Sequence, residues 1–151
     1  MNTADLQFNI IYTPHTARYL SMFVPSLLEW MDCRFRIIAN GCLPDEVQLL
    51  QDLCTSDARL EFLMMSEDGM IPHGQALNWL QERTDSPWFC YMDSDVIATG
   101  PFMETVAAHL DHGDVFSSGL PLWHSHEDTI LPTSFRRMQG SHIWTDDGTC
   151  I

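Results

Sequence analysis

Residues 88–95 read Trp88-Phe89-Cys90-Tyr91-Met92-Asp93-Ser94-Asp95 and decide the fold of this chain. The first five carry no charge and predict a strand buried on both faces, as in a parallel sheet. Asp93 and Asp95 then stand at the carboxyl end of that strand, where open α/β sheets bind their ligands. Two carboxylates at alternate positions can point to the same side, so we expect them to converge on one Mg²⁺, Mn²⁺ or Ca²⁺ ion. The alternative is a polar turn after a core strand, since an isolated D-x-D is common by chance.

The composition excludes several kinds of binding protein. The net charge is −14, from 21 acidic residues against seven basic ones, and all seven are arginines. A general nucleic-acid binder needs a basic face, and so does a protein that binds an anionic membrane surface. The absence of lysine from the sequence also excludes a Walker-type P-loop and Schiff-base chemistry. An anionic substrate would therefore bind through a metal ion, an arginine or a helix N-terminus.

The size and the cysteines describe an ordinary globular protein. A chain of 151 residues with 45% hydrophobic content fits one domain with a real core. Its five cysteines form no C-x-x-C pair, which predicts reduced thiols in a cytoplasmic protein, packed in its interior. Residues 1–5 show no basic region followed by an apolar stretch, so we expect neither a signal peptide nor a transmembrane segment.

Strands alternate with helices along most of the chain. Strands are predicted over residues 8–13, 34–39, 59–65, 88–92 and 114–118. Helices are predicted after Thr16, from Pro44, over 73–83 and from Pro101, with a kink or a restart at Pro25. This alternation predicts an α/β fold in which right-handed βαβ units build a mostly parallel sheet with helices on both faces.

The organisation changes near residue 120. Residues 121–151 have no helical or strand periodicity, and a structureless segment of that length is unusual in a compact domain. We expect a domain over residues 1–120, followed by a segment that is either a lid or the start of an acceptor-binding part cut short at Ile151.

Four pieces of the sequence, in this order, resemble the nucleotide-binding half of a GT-A fold glycosyltransferase, closest to the family-2-like enzymes. They are Ile10-Ile11-Tyr12-Thr13, Ile37-Ile38-Ala39-Asn40-Gly41, His73-Gly74-Gln75-Ala76-Leu77-Asn78, and Trp88 to Val96 with its D-x-D. The resemblance covers roughly residues 8–120. It implies a three-layer, Rossmann-like GT-A sheet that binds a nucleotide-diphosphate sugar and transfers the sugar to a hydroxyl of a glycan or other acceptor.

The resemblance also implies roles for residues outside the D-x-D. Thr13 and Pro14 would border the nucleoside pocket, and Asn40 would contact the base. Gly74 would let the backbone approach the nucleotide, with Asn78 one helical turn further along. The alternatives are an ordinary strand-to-helix turn for Asn40, a helix start for Gly74 and a surface side chain for Asn78.

For the acidic pair, the resemblance implies that Asp93 reaches the ribose or a metal-bound water and that Asp95 ligates the metal directly. The chemistry is reasonable, because departure of a nucleoside diphosphate builds negative charge that Mn²⁺ or Mg²⁺ would stabilise. The chain departs from the family in length, since the catalytic base of an inverting enzyme would be expected beyond its last residue. Asp146 and Asp147 are the candidates within the chain, with Glu127 and Asp128 weaker, although for each of them the sequence favours a solvated loop acid.

Two other functions fit the same sequence. One is a truncated or non-catalytic module that binds the nucleotide without turnover. The other is a sugar-phosphate nucleotidyltransferase, which typically has a glycine-rich, basic loop after the first strand. Residues 13–18 contain no glycine, so this function ranks last.

Overall fold

The computed structural model describes residues 5–104 and 106–107, together with the backbone of residues 138–139 and 142–143. The chain divides into two compact units, Met1–Ala107 and Ala108–Ile151. In the second unit, β5 (Met138–Gln139) and β6 (His142–Ile143) form a short antiparallel pair. The strand predicted over 114–118 and the domain boundary predicted near 120 lie outside the described residues.

The described part of the first unit contains a four-stranded parallel sheet. Its strands are β1 (Leu6–Tyr12), β2 (Arg34–Asn40), β3 (Leu60–Ser66) and β4 (Trp88–Asp93). Their order across the sheet is β3-β2-β1-β4, so the direction of strand addition reverses at β1. This architecture confirms the predicted Rossmann-like α/β fold.

Helices connect the parallel strands. They are α1 (Leu20–Trp30), preceded by a 3₁₀ turn at Ala17–Tyr19, α2 (Pro44–Ser56) and α3 (His73–Gln81). Pro44 opens α2 with its φ already suited to a helix, and the Glu46 carboxylate accepts the Leu43 N–H at 3.0 Å. Pro25 lies inside α1, so the helix does not restart there.

The reversal of strand order distributes the helices over both faces. Connections between parallel strands are right-handed, so α1 and α2 share one face and α3, which leads back across the sheet, takes the other. Ala76 and Leu80 of α3 pack on Ile38 and Met65. Ile37, which points to the opposite face, is also fully buried. The result is a three-layer domain with its core on both sides of β1 and β2.

β4 differs from the strand that the sequence predicts. Instead of being buried on both faces, it is half-buried over most of its length, and Phe89 is 36% exposed. The reason is its position, because β4 is the last strand on its side of the described sheet. Within the described sheet the inner strands are β2 and β1, and the completely apolar stretch forms an outer strand.

Candidate functional site

The D-x-D lies beside the point where the strand order reverses. Open α/β sheets bind ligands at this point, outside the carboxyl ends of the strands. Ile11 of β1 is in register with Asp93, the last residue of β4. Residues 13–16 after β1 and residues 93–95 at the end of β4 therefore lie side by side. We call these two segments the switch-point edge.

The segment after β1 is a closed turn that contains the predicted nucleoside-pocket residues. The Thr16 N–H donates to the Thr13 carbonyl at 3.1 Å. The Thr16 hydroxyl also donates to that carbonyl, at 2.8 Å, and accepts the Thr13 N–H at 2.9 Å. Thr13 and Pro14 are half-buried, and His15 between Pro14 and Thr16 is exposed. The turn is fixed by its own hydrogen bonds and leaves one side chain free to meet a ligand.

The two acids of the D-x-D are both exposed at the carboxyl end of β4. The strand ends at Asp93, and Ser94 and Asp95 form a turn, so the alternation of a strand does not extend to Asp95. Within the described ranges, no three His, Cys, Asp or Glu side chains are grouped so that they could hold a metal ion. Two carboxylates nevertheless fit Mg²⁺ chemistry, because this ion is commonly held by one or two carboxylates together with substrate phosphates and water.

The chain beyond the D-x-D is attached to α1. The Ala98 N–H donates to the Ser26 hydroxyl at 3.0 Å, and this hydroxyl donates to the Phe23 carbonyl at 2.7 Å. One serine side chain thus connects the segment that leaves β4 to the helix that follows β1. This contact attaches the chain to α1 three residues after Asp95.

Asn40 is engaged within the protein. Its side-chain N–H donates to the Ile71 carbonyl at 2.9 Å, and its side-chain oxygen accepts the Ile71 N–H at 2.8 Å. Asn40 is 2% exposed, and its neighbour Gly41 donates its N–H to the Ser66 carbonyl at 3.0 Å. These bonds hold residues 66–72, called here the 66–72 loop, against the end of β2. These contacts support the alternative in which Asn40 belongs to an ordinary strand-to-helix turn. A contact between Asn40 and a nucleotide base would require breaking both of its hydrogen bonds with Ile71.

Gly74 and Asn78 lie on the exposed side of α3. Gly74 is the second residue of the helix, at the carboxyl edge of the sheet, and a Cβ atom there would meet nothing within 4 Å. Packing within the described residues therefore does not require a glycine at this place. Asn78 is one turn further toward the amino edge, and its carbonyl accepts the Glu82 N–H at 3.1 Å.

Charge is unevenly distributed between the two edges of the sheet. Four of the five described arginines lie at the amino edge, where strands begin and α3 ends: Arg34, Arg36, Arg59 and Arg83. The fifth, Arg18, is exposed and follows the turn at residues 13–16. Arg36 donates to Glu61 at 3.2 Å and to the Arg83 carbonyl at 2.9 Å. The carboxyl edge instead carries the D-x-D and, in the 66–72 loop, Glu67 and Asp68, which are all exposed. An anionic ligand at this edge would be repelled unless a cation accompanied it.

The described cysteines are not poised for nucleophilic chemistry. Cys33, Cys42, Cys54 and Cys90 are unpaired. Burial raises the pKa of each of these thiols to about 11. They remain protonated at neutral pH and fill space, as the sequence predicts.

The remaining predicted site residues, Asp146 and Asp147, lie outside the described residues, as do Glu127 and Asp128. None of the helices in the described ranges has the length and apolarity needed to cross a bilayer. Comparison with protein-family models and with curated proteins finds no match to this chain.

Proposed function

We propose that this domain binds a nucleotide-diphosphate sugar through a divalent cation and transfers the sugar to an acceptor hydroxyl, as a GT-A-like glycosyltransferase. The observation that carries the proposal is the position of the D-x-D. Asp93 ends β4 directly beside the end of β1, at the reversal of the β3-β2-β1-β4 order. Ligands of open α/β sheets bind at such a reversal.

The charge of the edge supports a role for Mn²⁺ or Mg²⁺. Exposed carboxylates gather there, while four of the described arginines lie at the opposite edge. A divalent cation between the carboxylates and a diphosphate would reduce the repulsion between the two negative groups. Asp93 and Asp95 would hold the metal ion, which when bound supplies positive charge to the leaving diphosphate.

The remaining contacts with the nucleotide sugar, and the catalytic base, would come from the protein's own residues. The turn at Thr13 and Pro14 is closed by three hydrogen bonds, so it can border the nucleoside without having to be ordered by binding. Gly74, with open space around it, would allow the ligand to approach the first turn of α3. Asp146 and Asp147 remain our candidates for the catalytic base. We place the protein in the cytoplasm, a reducing compartment that suits the four unpaired thiols of the described residues.

The test is release of nucleoside diphosphate from a set of uridine- and guanosine-diphosphate sugars, with Mn²⁺ or with a chelator. We expect release in Mn²⁺, its loss in chelator, and its loss in Asp95→Asn. The matched control is Asp68→Asn, which removes an exposed acid of the same edge from the 66–72 loop and should release at the wild-type rate. Metal-dependent binding without release would favour the non-catalytic module. Release that continues in chelator would contradict the metal-dependent mechanism.

A further inference from the structure

His15 is the one residue other than glycine with a positive φ in the part of the chain that the structure describes, at 70°. It follows Pro14 in the closed turn of the switch-point edge. A proline at the second position and a positive φ at the third are the pattern of a type II turn, whose third position favours glycine or asparagine. Histidine at this place is therefore a departure from what the turn alone requires.

The departure lowers stability, because the Cβ atom of an L-residue is crowded in the left-handed region. The hydrogen bonds between Thr13 and Thr16 maintain the turn in spite of it. Packing does not explain the histidine either, because its side chain is exposed. Unfavourable backbone conformations that are maintained in this way cluster at ligand sites, where the side chain is needed in place.

The position of His15 indicates which ligand group it would meet. Neighbouring strands lie about 4.8 Å apart. Ile11 is paired with Asp93, so the turn that contains His15 begins two residues after a position beside the D-x-D. If Asp93 and Asp95 hold a metal-bound diphosphate, its phosphate oxygens come next to this turn. An imidazole N–H is a suitable donor to such an oxygen.

We propose that His15 binds the ligand by donating a ring N–H to a phosphate oxygen of the nucleoside diphosphate at the switch-point edge. The proposal rests on the proposed function and extends its site to the loop opposite the D-x-D. At residue 15 a glycine would suit the positive φ of the turn better than a histidine does. A phosphate oxygen, in contrast, requires a side chain that can donate a hydrogen bond.

The test compares His15→Gly and His15→Asn with the wild type by thermal unfolding and by calorimetry with UDP and with GDP in Mn²⁺. His15→Gly should unfold about 2–4 °C higher, because it relieves the backbone strain. It should also bind the diphosphate about tenfold more weakly, because it lacks the donor. His15→Asn accepts the positive φ and keeps an N–H donor, so its affinity should fall between those of the wild type and His15→Gly.

Unchanged affinity in His15→Gly, with a wild type that binds, would overturn this inference and leave the proposed function standing. A His15→Gly variant that unfolds at a lower temperature would also overturn it, because the histidine would then stabilise the fold. A wild type that binds neither nucleotide would refute the proposed function and this inference together.

Discussion

Gly41→Ala should destabilise the domain more than any other glycine-to-alanine change in the described residues. Gly41 has a φ of +69°, and a Cβ atom there would lie 2.5 Å from the Gly69 carbonyl carbon and from the Met70 nitrogen. Both contacts are with backbone, which has no flexible side chain to move aside. The left-handed conformation alone costs alanine about 1–2 kcal/mol.

The steric overlap of the new Cβ atom with the backbone adds a second loss of folding stability. Relief requires the 66–72 loop to move away from β2, and the loop is held there by the two bonds between Asn40 and Ile71. Each such hydrogen bond contributes about 0.5–1.5 kcal/mol, so the total loss should be about 2–5 kcal/mol. With a urea m-value of about 2 kcal/mol/M, the unfolding midpoint should fall by about 1–2.5 M.

Two control variants help to distinguish the effect of the backbone conformation from the effect of the steric overlap. Gly69→Ala has a φ of +126°, which L-residues adopt even less readily than the φ of Gly41, but no atom lies within 4 Å of the new Cβ. Any loss of stability in this variant should therefore come from backbone conformation without overlap. Gly100→Ala involves neither a positive φ nor a steric overlap, so it should unfold like the wild type. The reasoning would be refuted if Gly41→Ala unfolded at the wild-type urea concentration, or no earlier than Gly69→Ala.

Three further predictions follow from the same structure. Gly74→Ala should raise stability by up to about 1 kcal/mol through helix propensity yet weaken nucleotide binding, and unchanged affinity in calorimetry would exclude a close backbone approach at α3. Gln7→Met should raise the urea midpoint by the equivalent of about 1–2 kcal/mol, because Gln7 is 1% exposed and both its amide atoms lack a partner in the described residues; a lower midpoint would show that the amide is paired. Hydrogen bonds from Arg59 lower the pKa of Asp57 from 3.8 to about 2, so the stabilisation is present above pH 3.8 and is lost as the pH falls through 2. In acid unfolding curves, Asp57→Asn should lose up to about 1 kcal/mol at neutral pH, because the pair is partly exposed, and nothing below pH 2; a difference independent of pH would contradict this.

Features encoded locally in the sequence were predicted closely. Pro44 fixes the start of α2, and the segment that begins at Arg34 forms β2, which extends only one residue past its predicted end. β1 begins at Leu6, two residues before the prediction, because the polar Gln7 conceals a strand that is buried on both faces. α3 ends at Gln81 rather than Arg83.

Features that depend on distant residues could not be read from the sequence. The hydrogen bonds between Asn40 and Ile71 join residues 31 positions apart. The sequence alone does not show whether the Asn40 side chain binds a nucleotide base or a loop of the protein. The exposure of β4 depends on strand order, which the alternation of elements does not determine. The positive φ of His15 has no signal in the sequence, because this turn position favours glycine or asparagine, and the closing bonds to Thr16 appear only in three dimensions.

The central claim is that a metal ion joins the D-x-D to a nucleoside diphosphate, and calorimetry with UDP and GDP tests it most directly. Titrations in Mn²⁺ and in chelator would be compared for the wild type and for Asp95→Ala. We expect wild-type binding at least tenfold tighter in Mn²⁺ than in chelator, and loss of that difference in Asp95→Ala. Asp93→Asn and Asp95→Asn should unfold in chelator at or above the wild-type temperature, since neutralising either acid reduces repulsion at the edge. Equal wild-type affinity with and without the metal, or unchanged affinity in Asp95→Ala, would contradict the claim.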